Sequence, residues 1–338
     1  MSVSIISTIS VIEYLTQYKT QLVAILFFVL FINSINTRSR TKQFIYLMIV
    51  TMVVNLFIQI ALYYFPNNFI RLLVNDKYYE VLRLNAARSR YFIDMYESAL
   101  IPLLFINITL IHTQERIIRW LIILLISASA LLSSFRTHLL MLIISSMSLL
   151  LFIKKSVFSY RNIALVFLFF ALIIYIPRFQ QNNTSSFTRL VDPSESDYST
   201  VFSRIYYWKE SYKIFSAYPV FGIGLSNYYD LLQGKKTIVF SLSDPQNRLD
   251  KITQTHPHNI VLATLAETGL VGFIALMLLL GYFIKEDASV FLSKNVNLKL
   301  VSISFWSLFF FALLNPPTII QYQVLFWTLR GLLYNKNL

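Results

Sequence analysis

The sequence predicts an all-α integral membrane protein: a polytopic bundle of nine or ten transmembrane helices with one large extracytoplasmic loop. First, 56% of the 338 residues are hydrophobic and only 13% are charged, whereas a soluble domain carries roughly 25% charged residues. So few charges cannot cover a water-facing surface. Second, apolar runs long enough to cross a bilayer recur along the chain. Third, the basic residues lie mostly between these runs, which is typical of membrane topology.

Nine apolar segments are predicted spans, because a crossing needs about 20 mostly apolar residues. A tenth segment, residues 2–15, contains Glu13 with several Ser and Thr residues, and it either spans the membrane or lies at its interface. No basic region precedes it, so it does not resemble a cleaved signal peptide. The nine predicted spans are 21–35, 44–64, 91–111, 119–133, 138–153, 162–177, 259–284, 299–314 and 318–334.

The basic residues predict the orientation of the bundle. Twelve of them lie in alternate connections and the C-terminal tail, against six in the short connections on the other side. The positive-inside rule places the first set in the cytoplasm, so residues 178–257 face outward. The twelve are Arg38, Arg40, Lys42, Arg116, Arg119, Lys154, Lys155, Arg161, Lys285, Lys294, Lys299 and Lys336, and the six are Arg71, Lys77, Arg83, Arg88, Arg90 and Arg136.

The predicted organisation has three parts that work as one functional unit. Residues 1–177 form an N-terminal transmembrane bundle, residues 178–257 form the extracytoplasmic loop, and residues 258–338 form C-terminal transmembrane helices. Within the loop, residues 201–217 predict an amphipathic helix that lies on the membrane surface or across the bundle. Its apolar stripe consists of Val201, Ile205, Trp208, Tyr212 and Phe215.

Composition excludes several classes of chemistry. The chain has no cysteine, which rules out disulfides, thiolate metal sites and cysteine nucleophiles. With only four histidines, neither a metal nor another cofactor is expected. The net charge of +13 would indicate nucleic acid in a soluble protein. Here it indicates topology and contact with anionic lipid, and no nucleic-acid partner is expected.

Three motifs carry the functional prediction. Residues 202–224 read FSRIYYWKESYKIFSAYPVFGIG, a helix with Arg and Trp followed by a Pro-x-x-Gly-x-Gly turn. Residues 255–273 read THPHNIVLATLAETGLVGF, with a His-Asn pair at the outer mouth of a predicted span and Gly-x-x-Gly further along. Residues 133–140 read SSFRTHLL, a Ser-x-Arg-like turn between two spans. In this order, the motifs resemble the O-antigen ligase and O-antigen polymerase superfamily of bacterial membrane glycosyltransferases.

The resemblance implies inverting, metal-independent glycosyl transfer at the periplasmic side of the bacterial inner membrane. The implied donor is an oligosaccharide on undecaprenyl pyrophosphate. The implied acceptor is a sugar hydroxyl of a glycolipid, either another lipid-linked repeat for a polymerase or lipid A-core for a ligase. Polymerase is slightly favoured, because the chain is short and resembles the family poorly outside the loop.

His258 matches the family histidine and is predicted to be the general base. A diphosphate leaves without an acid catalyst, whereas the acceptor hydroxyl needs a group that takes its proton. Pro257 suits the first turn of a helix, whose positive dipole end would keep His258 neutral at pH 7. His256 is an alternative base or a residue that orients His258.

Guanidinium groups are predicted to bind the donor diphosphate, because they form bidentate hydrogen bonds with anionic oxygens. Arg136 and Arg204 match the family motifs, and Arg88 and Arg90 are further candidates. A solvated or interfacial charge is the alternative for each. The supporting residues are predicted to be Trp208, Asn259, Gly269 and Gly272, the glycines through close helix packing. Glu267 is predicted to form a structural pair across helices.

Two alternatives from other classes stay open. A transporter or flippase for lipid-linked sugars would be expected to contain paired repeats and interrupted helices near the bilayer midplane. The sequence has no internal repeat. A membrane scaffold without chemistry would need neither His258 nor Arg136.

Overall fold

In the computed structural model, the described residues are 11–64, 97–106, 114–132, 136–152, 195–228, 231, 236–239, 248–251, 256–315 and 320–335. The predicted span 162–177, the predicted sites Arg88 and Arg90, and residues 2–10 lie outside this part of the chain. The backbone of Arg136 is described, but its side chain is not.

The first two predicted spans are continuous helices. Helix α1 covers Val11–Ser34 and helix α2 covers Arg38–Tyr64. The connection between them is tight: the Arg40 side chain donates to the carbonyl of Ser34 at 3.0 Å, and the Thr37 hydroxyl accepts the Arg40 backbone N–H at 3.3 Å. Both contacts satisfy groups that a helix end leaves without a partner.

The predicted span 91–111 is not one regular helix, which corrects the sequence-based prediction. Its described part is a short helix α3, Glu97–Leu100, followed by a 3-10 helix, Ile101–Phe105. Pro102 lies in the first turn of the 3-10 helix. Proline lacks the N–H that an α-helix needs at an interior position, and its ring clashes with the preceding turn. The chain then leaves the helical region at Ile106, with φ −66° and ψ 124°.

The other described apolar segments are helical. Helix α4 covers Gln114–Leu132 and helix α5 covers Arg136–Phe152. The loop helix α6 covers Glu195–Ala217. Three C-terminal helices follow: α7 covers Ile260–Leu292, α8 covers Val296–Ala312 and α9 covers Ile320–Leu333.

Within the described residues, three helices are long and apolar enough to cross a membrane: Leu15–Ser34, Arg38–Ile58 and Ile260–Leu292. Two apolar helices are shorter, Thr137–Leu149 and Val296–Ala312. The helical membrane character of the chain is therefore confirmed. The total of nine or ten spans and the extent of the outer loop stay predictions.

The loop also contains β-structure, which the all-α prediction did not include. Strand β1, Lys236–Val239, pairs with strand β2, Arg248–Lys251, in an antiparallel two-stranded sheet. In the register, Thr237 lies opposite Asp250 and Ile238 opposite Leu249. The pairing satisfies backbone groups locally, although a two-stranded sheet of this length is at most marginally stable by itself.

The polypeptide divides into two compact units. The first comprises 1–30, 193–292 and 309–328, and it contains α6 and α7. The second comprises 31–192, 293–308 and 329–338. In the second unit the buried guanidinium of Arg330 lies over the rings of Phe305 and Tyr334, at 5.4 and 5.3 Å from their centroids. Such aromatic contacts help a cation to remain in an apolar interior.

Helix α6 packs through a face that the apolar stripe does not predict. It begins at Glu195 rather than at 201, and it ends at Ala217 as predicted. Tyr207 and Ile214 are buried, in a cluster with Ile223, Tyr228 and Ala266. Two members of the predicted stripe, Ile205 and Tyr212, are exposed at 38% and 65%.

Candidate active site at the start of a broken helix

Asn259 is the N-cap of α7. Its Oδ1 accepts hydrogen bonds from the backbone N–H groups of Val261 at 3.0 Å and Leu262 at 3.1 Å. These donors have no partner inside the helix, and asparagine is among the best side chains for satisfying them. The helix therefore begins at Ile260. Pro257, which the sequence predicted in its first turn, precedes the helix instead.

Two side chains hold the backbone of the histidine loop, residues 256–259. The indole Nε1–H of Trp208 donates to the carbonyl of Pro257 at 3.0 Å. The Nδ1 atom of His256 accepts the backbone N–H of His258 at 3.0 Å. His258 itself has a positive φ of 54°, a conformation that side chains other than glycine adopt only when their surroundings enforce it. Trp208 and His256 supply such surroundings.

His256 and His258, the two histidines of this loop, are neutral at pH 7. Burial, with a further contribution from the positive charge of Arg204, lowers the pKa of His258 to about 4. Burial, followed by the charge of His258, lowers the pKa of His256 to about 3. The positive charge of Arg204 thus acts on the imidazole of His258. Arg204 stands one helical turn before Trp208 on α6, so a single helix carries both residues to the histidine loop.

Helix α7 is broken at Gly269, where φ is 63° and ψ is −161°. The turn that follows α6, residues 218–224, packs into this break. Its two glycines, Gly222 and Gly224, have positive φ values of 68° and 93°, which glycine adopts without a steric penalty. The turn predicted by the Gly-x-Gly pattern is thus present, and it contacts a membrane helix.

Four backbone hydrogen bonds join the turn to the broken helix. Two N–H groups of the turn donate to carbonyls before the break, and two N–H groups after the break donate to carbonyls of the turn. The pairs are Ile223 with Ala266 at 3.1 Å, Gly224 with Glu267 at 2.9 Å, Leu270 with Pro219 at 2.8 Å and Val271 with Val220 at 3.2 Å. The turn therefore replaces bonds that a continuous helix would make within itself.

The approach between turn and helix is close enough to exclude side chains. A Cβ atom on Gly269 would overlap the backbone of Val220 and lie 2.7 Å from the Gly222 nitrogen. A Cβ on Gly222 would overlap the backbone of Glu267. At Gly269, the close packing predicted from the sequence is made with the turn. At Gly272, a Cβ would overlap the Thr268 side chain one turn earlier.

Glu267 is buried next to the break. Its carboxylate accepts backbone N–H groups of Ser226 and Tyr228, just beyond the glycine turn. Its partners are thus main-chain amides of the loop, where the sequence predicted a pair across helices. A structural role explains most simply why a carboxyl group with such partners lies within a membrane helix.

A cavity of about 290 Å³ runs along α7 within the first unit. It extends from His256 to Leu280, and its wall is mostly apolar, with Phe309 and Phe326 among its aromatic members. Polar side chains also line it, among them Gln17, Gln21, Glu267 and Gln323. Of these, only Glu267 had been considered from the sequence. The residues of α7 that line the cavity recur at helical spacing. This spacing is visible in the sequence, but it indicates a cavity only when the neighbouring helices are known.

The structure thus brings together Arg204, Trp208, His256, His258 and Asn259. Arg136 begins α5, which lies in the other unit. No group of three or more potential metal ligands occurs among the described side chains, and the metal-independence of the reaction stays a prediction.

These features define a helical membrane protein whose loop helix, histidine loop and broken apolar helix form one polar site. The O-antigen ligase family model matches residues 121–277, which include α6, the glycine turn, the histidine loop and the first half of α7. The resemblance predicted from the motifs is confirmed, since residues 121–277 are similar to the O-antigen ligase family. The match indicates activity of the O-antigen ligase or polymerase type on lipid-linked polysaccharide in a bacterial membrane. No curated protein and no solved structure matches the chain.

Proposed function

We propose that this chain transfers a glycan from undecaprenyl pyrophosphate to a sugar hydroxyl of an acceptor glycolipid, with inversion and without a metal, at the periplasmic face of the inner membrane. Polymerisation of lipid-linked repeats is favoured over ligation to lipid A-core. The observation that carries the proposal is the hydrogen bond from Trp208 to the carbonyl of Pro257, which joins the helix that carries Arg204 to the histidine loop.

Arg204 supplies the charge that a diphosphate requires. Negative charge accumulates on the leaving diphosphate in the transition state, and a fixed guanidinium in a poorly solvated site stabilises it strongly. Arg204 is half-buried on α6, which is anchored through Tyr207 and Ile214. The proposed contribution of Arg136, Arg88 and Arg90 rests on the family resemblance alone.

His258 acts as the general base on the acceptor hydroxyl. A neutral imidazole can take the proton while the hydroxyl oxygen attacks the anomeric carbon from the face opposite the diphosphate. The pKa of about 4 makes the free imidazole a weak base. Bound diphosphate would compensate the charge of Arg204, raise the pKa of His258 and so strengthen the base only when the donor is present.

The cavity along α7 suits the polyprenyl chain of the donor. Its wall is largely apolar, and its upper end contains His256, next to the histidine loop. A lipid tail in this cavity would leave the diphosphate near the outer end of α7, where Arg204 and His258 lie.

The broken helix α7 favours, at first sight, the rival function of a transporter. Transporters use the free backbone groups of discontinuous helices to bind ions and substrates. Here the groups around Gly269 bond to the turn 218–224, so they are not available to a ligand. Glycosyl transfer explains Arg204, Trp208 and His258 better than transport does.

The test uses purified full-length protein with lipid-linked repeats alone, and it measures chain ladders. Wild type is expected to form ladders, and His258→Ala is expected to reduce the rate by at least about a hundredfold while the protein remains folded. Lys209→Ala, an exposed change on α6, is the matched control. Full activity of H258A would refute the proposed base. Ladders that appear only when lipid A-core is added would change the assignment to ligase.

A further inference from the structure

We infer that His256 is a positioning residue with two roles: its Nδ1 fixes the backbone of His258, and its Nε2–H donates to an oxygen of the glycolipid in the cavity. The inference rests on the proposed function and deepens it. Each ring nitrogen of His256 has a different role, and the loss of each role has a different measurable effect.

The first role follows from the hydrogen bond at Nδ1. This atom accepts the N–H of His258 at 3.0 Å, and His258 has a left-handed backbone with φ 54°. A residue without this support would be expected to relax toward a more favourable conformation, because positive φ costs on the order of 1–3 kcal/mol outside glycine. Relaxation would turn the imidazole of His258 away from its present direction.

The second role follows from the first. A neutral imidazole has one N–H and one acceptor nitrogen. Because Nδ1 accepts, the hydrogen must be on Nε2. His256 is buried, lines the cavity, and shares its wall with Ile260 and Leu225. The donor is therefore placed where an oxygen of a bound glycolipid can accept it.

The neutral state of His256 makes both roles compatible with physiological pH. Burial holds its pKa at about 3, so that Nδ1 remains an acceptor at pH 7. The bond to the His258 backbone also argues against His256 as the catalytic base, which was the alternative left open by the sequence. The base would need an acceptor nitrogen that faces the substrate, and the acceptor nitrogen of His256 faces the backbone.

Two isosteric substitutions separate the roles. In His256→Asn the side-chain oxygen takes the place of Nδ1, which preserves an acceptor for the His258 N–H and removes the donor at the Nε2 position. In His256→Gln the amide reaches the Nε2 position and can donate there, whereas the support for His258 is lost. His256→Ala removes both groups.

Steady-state kinetics with purified full-length protein and lipid-linked repeats distinguishes the variants. We expect H256Q to lower kcat by on the order of tenfold or more with little change in KM, because the base is misoriented. We expect H256N to raise KM several-fold with a smaller loss of kcat, because a contact made in ground and transition states is lost. H256A should show both effects. Each variant is compared with wild type by its thermal midpoint, and only folded variants are interpreted.

The inference is overturned if H256N and H256Q both behave as wild type, or if their kinetic defects are exchanged. It is also overturned if H256N loses the acidic limb of the pH profile, since His256 would then be the titrating base. His258→Gln, measured in parallel, keeps the two proposals apart. An inactive H258Q with unaffected His256 variants refutes only the positioning roles, an active H258Q refutes His258 as the base, and a wild-type protein that forms no ladders refutes the proposed function itself.

Discussion

The indole N–H of Trp208 and the carbonyl of Pro257 lie 3.0 Å apart and join the loop helix to the segment that precedes α7. The two residues are far apart in sequence, and their contact is one of the two that hold the histidine loop. Trp208 lies on the helix that also carries Arg204. A tryptophan is suited to this position, because it combines a large apolar surface with one hydrogen-bond donor.

Removing the indole donor should affect activity more than stability. Trp208→Phe keeps much of the packing but leaves the Pro257 carbonyl without its partner, at a cost of about 1 kcal/mol in unfolding free energy. The loop that carries His258 then loses one of its two anchors, and we expect kcat to fall about tenfold. Tyr212→Phe, on the exposed face of the same helix, is the control. Equal kcat values for W208F and wild type would contradict the anchoring role.

The glycine break predicts a sharp contrast between two substitutions in one helix. In Gly269→Ala the new methyl group would collide with the backbone of Val220, and the alanine would have to keep a positive φ. We therefore expect the free energy of unfolding to fall by roughly 3 kcal/mol or more. At Gly281 no atom lies within 4 Å of a new Cβ. Gly281→Ala should be neutral or stabilise the helix by up to about 1 kcal/mol. Thermal midpoints in detergent measure both, and a tolerated G269A would show that the turn can withdraw from the helix.

The pH dependence of turnover should report the neighbours of His258. The base works only when it is unprotonated. The value of kcat/KM should therefore be constant near pH 7 and fall as the pH drops through about 4, the pKa of His258 in the enzyme without bound donor. Burial holds this pKa down and the charge of Arg204 lowers it further, so Arg204→Ala should move the acidic limb to somewhat higher pH while also weakening donor binding. The limb of kcat, which reports the donor complex, should likewise lie at higher pH than that of kcat/KM. An acidic limb unchanged by R204A would contradict this electrostatic effect of Arg204 on His258.

The sequence predicted the membrane class and the positions of most described apolar helices, because apolar length carries that information. The roles of the site residues stay predictions. The sequence did not predict the interruption of span 91–111, although Pro102 marked it, since the 3-10 geometry depends on neighbouring packing. The packed face of α6 was also not evident. Tyr207, Glu210, Ser211 and Ile214 are buried, and two of these four are polar. Hydrophobic periodicity instead selects the stripe with Ile205 and Tyr212.

The arrangement around Gly269 required three-dimensional information for another reason. Gly222, Gly224 and Gly269 each have a positive φ, and nothing in the sequence links the Gly-x-Gly turn to Gly269. Only the hydrogen bonds between the turn 218–224 and α7 show that the three glycines allow the turn to pack against the broken helix. The same applies to His256, because its role depends on which ring nitrogen meets the His258 backbone.

The four backbone hydrogen bonds between the turn 218–224 and α7 have a consequence for insertion into the membrane. A helix interrupted at Gly269 enters the bilayer with carbonyl and amide groups that hydrocarbon cannot satisfy, and each would cost several kcal/mol during insertion. Residues 219–224 precede α7 in the chain, so the ribosome synthesises them before the helix that needs them. The order of translation thus makes the partner available when the interrupted helix reaches the membrane.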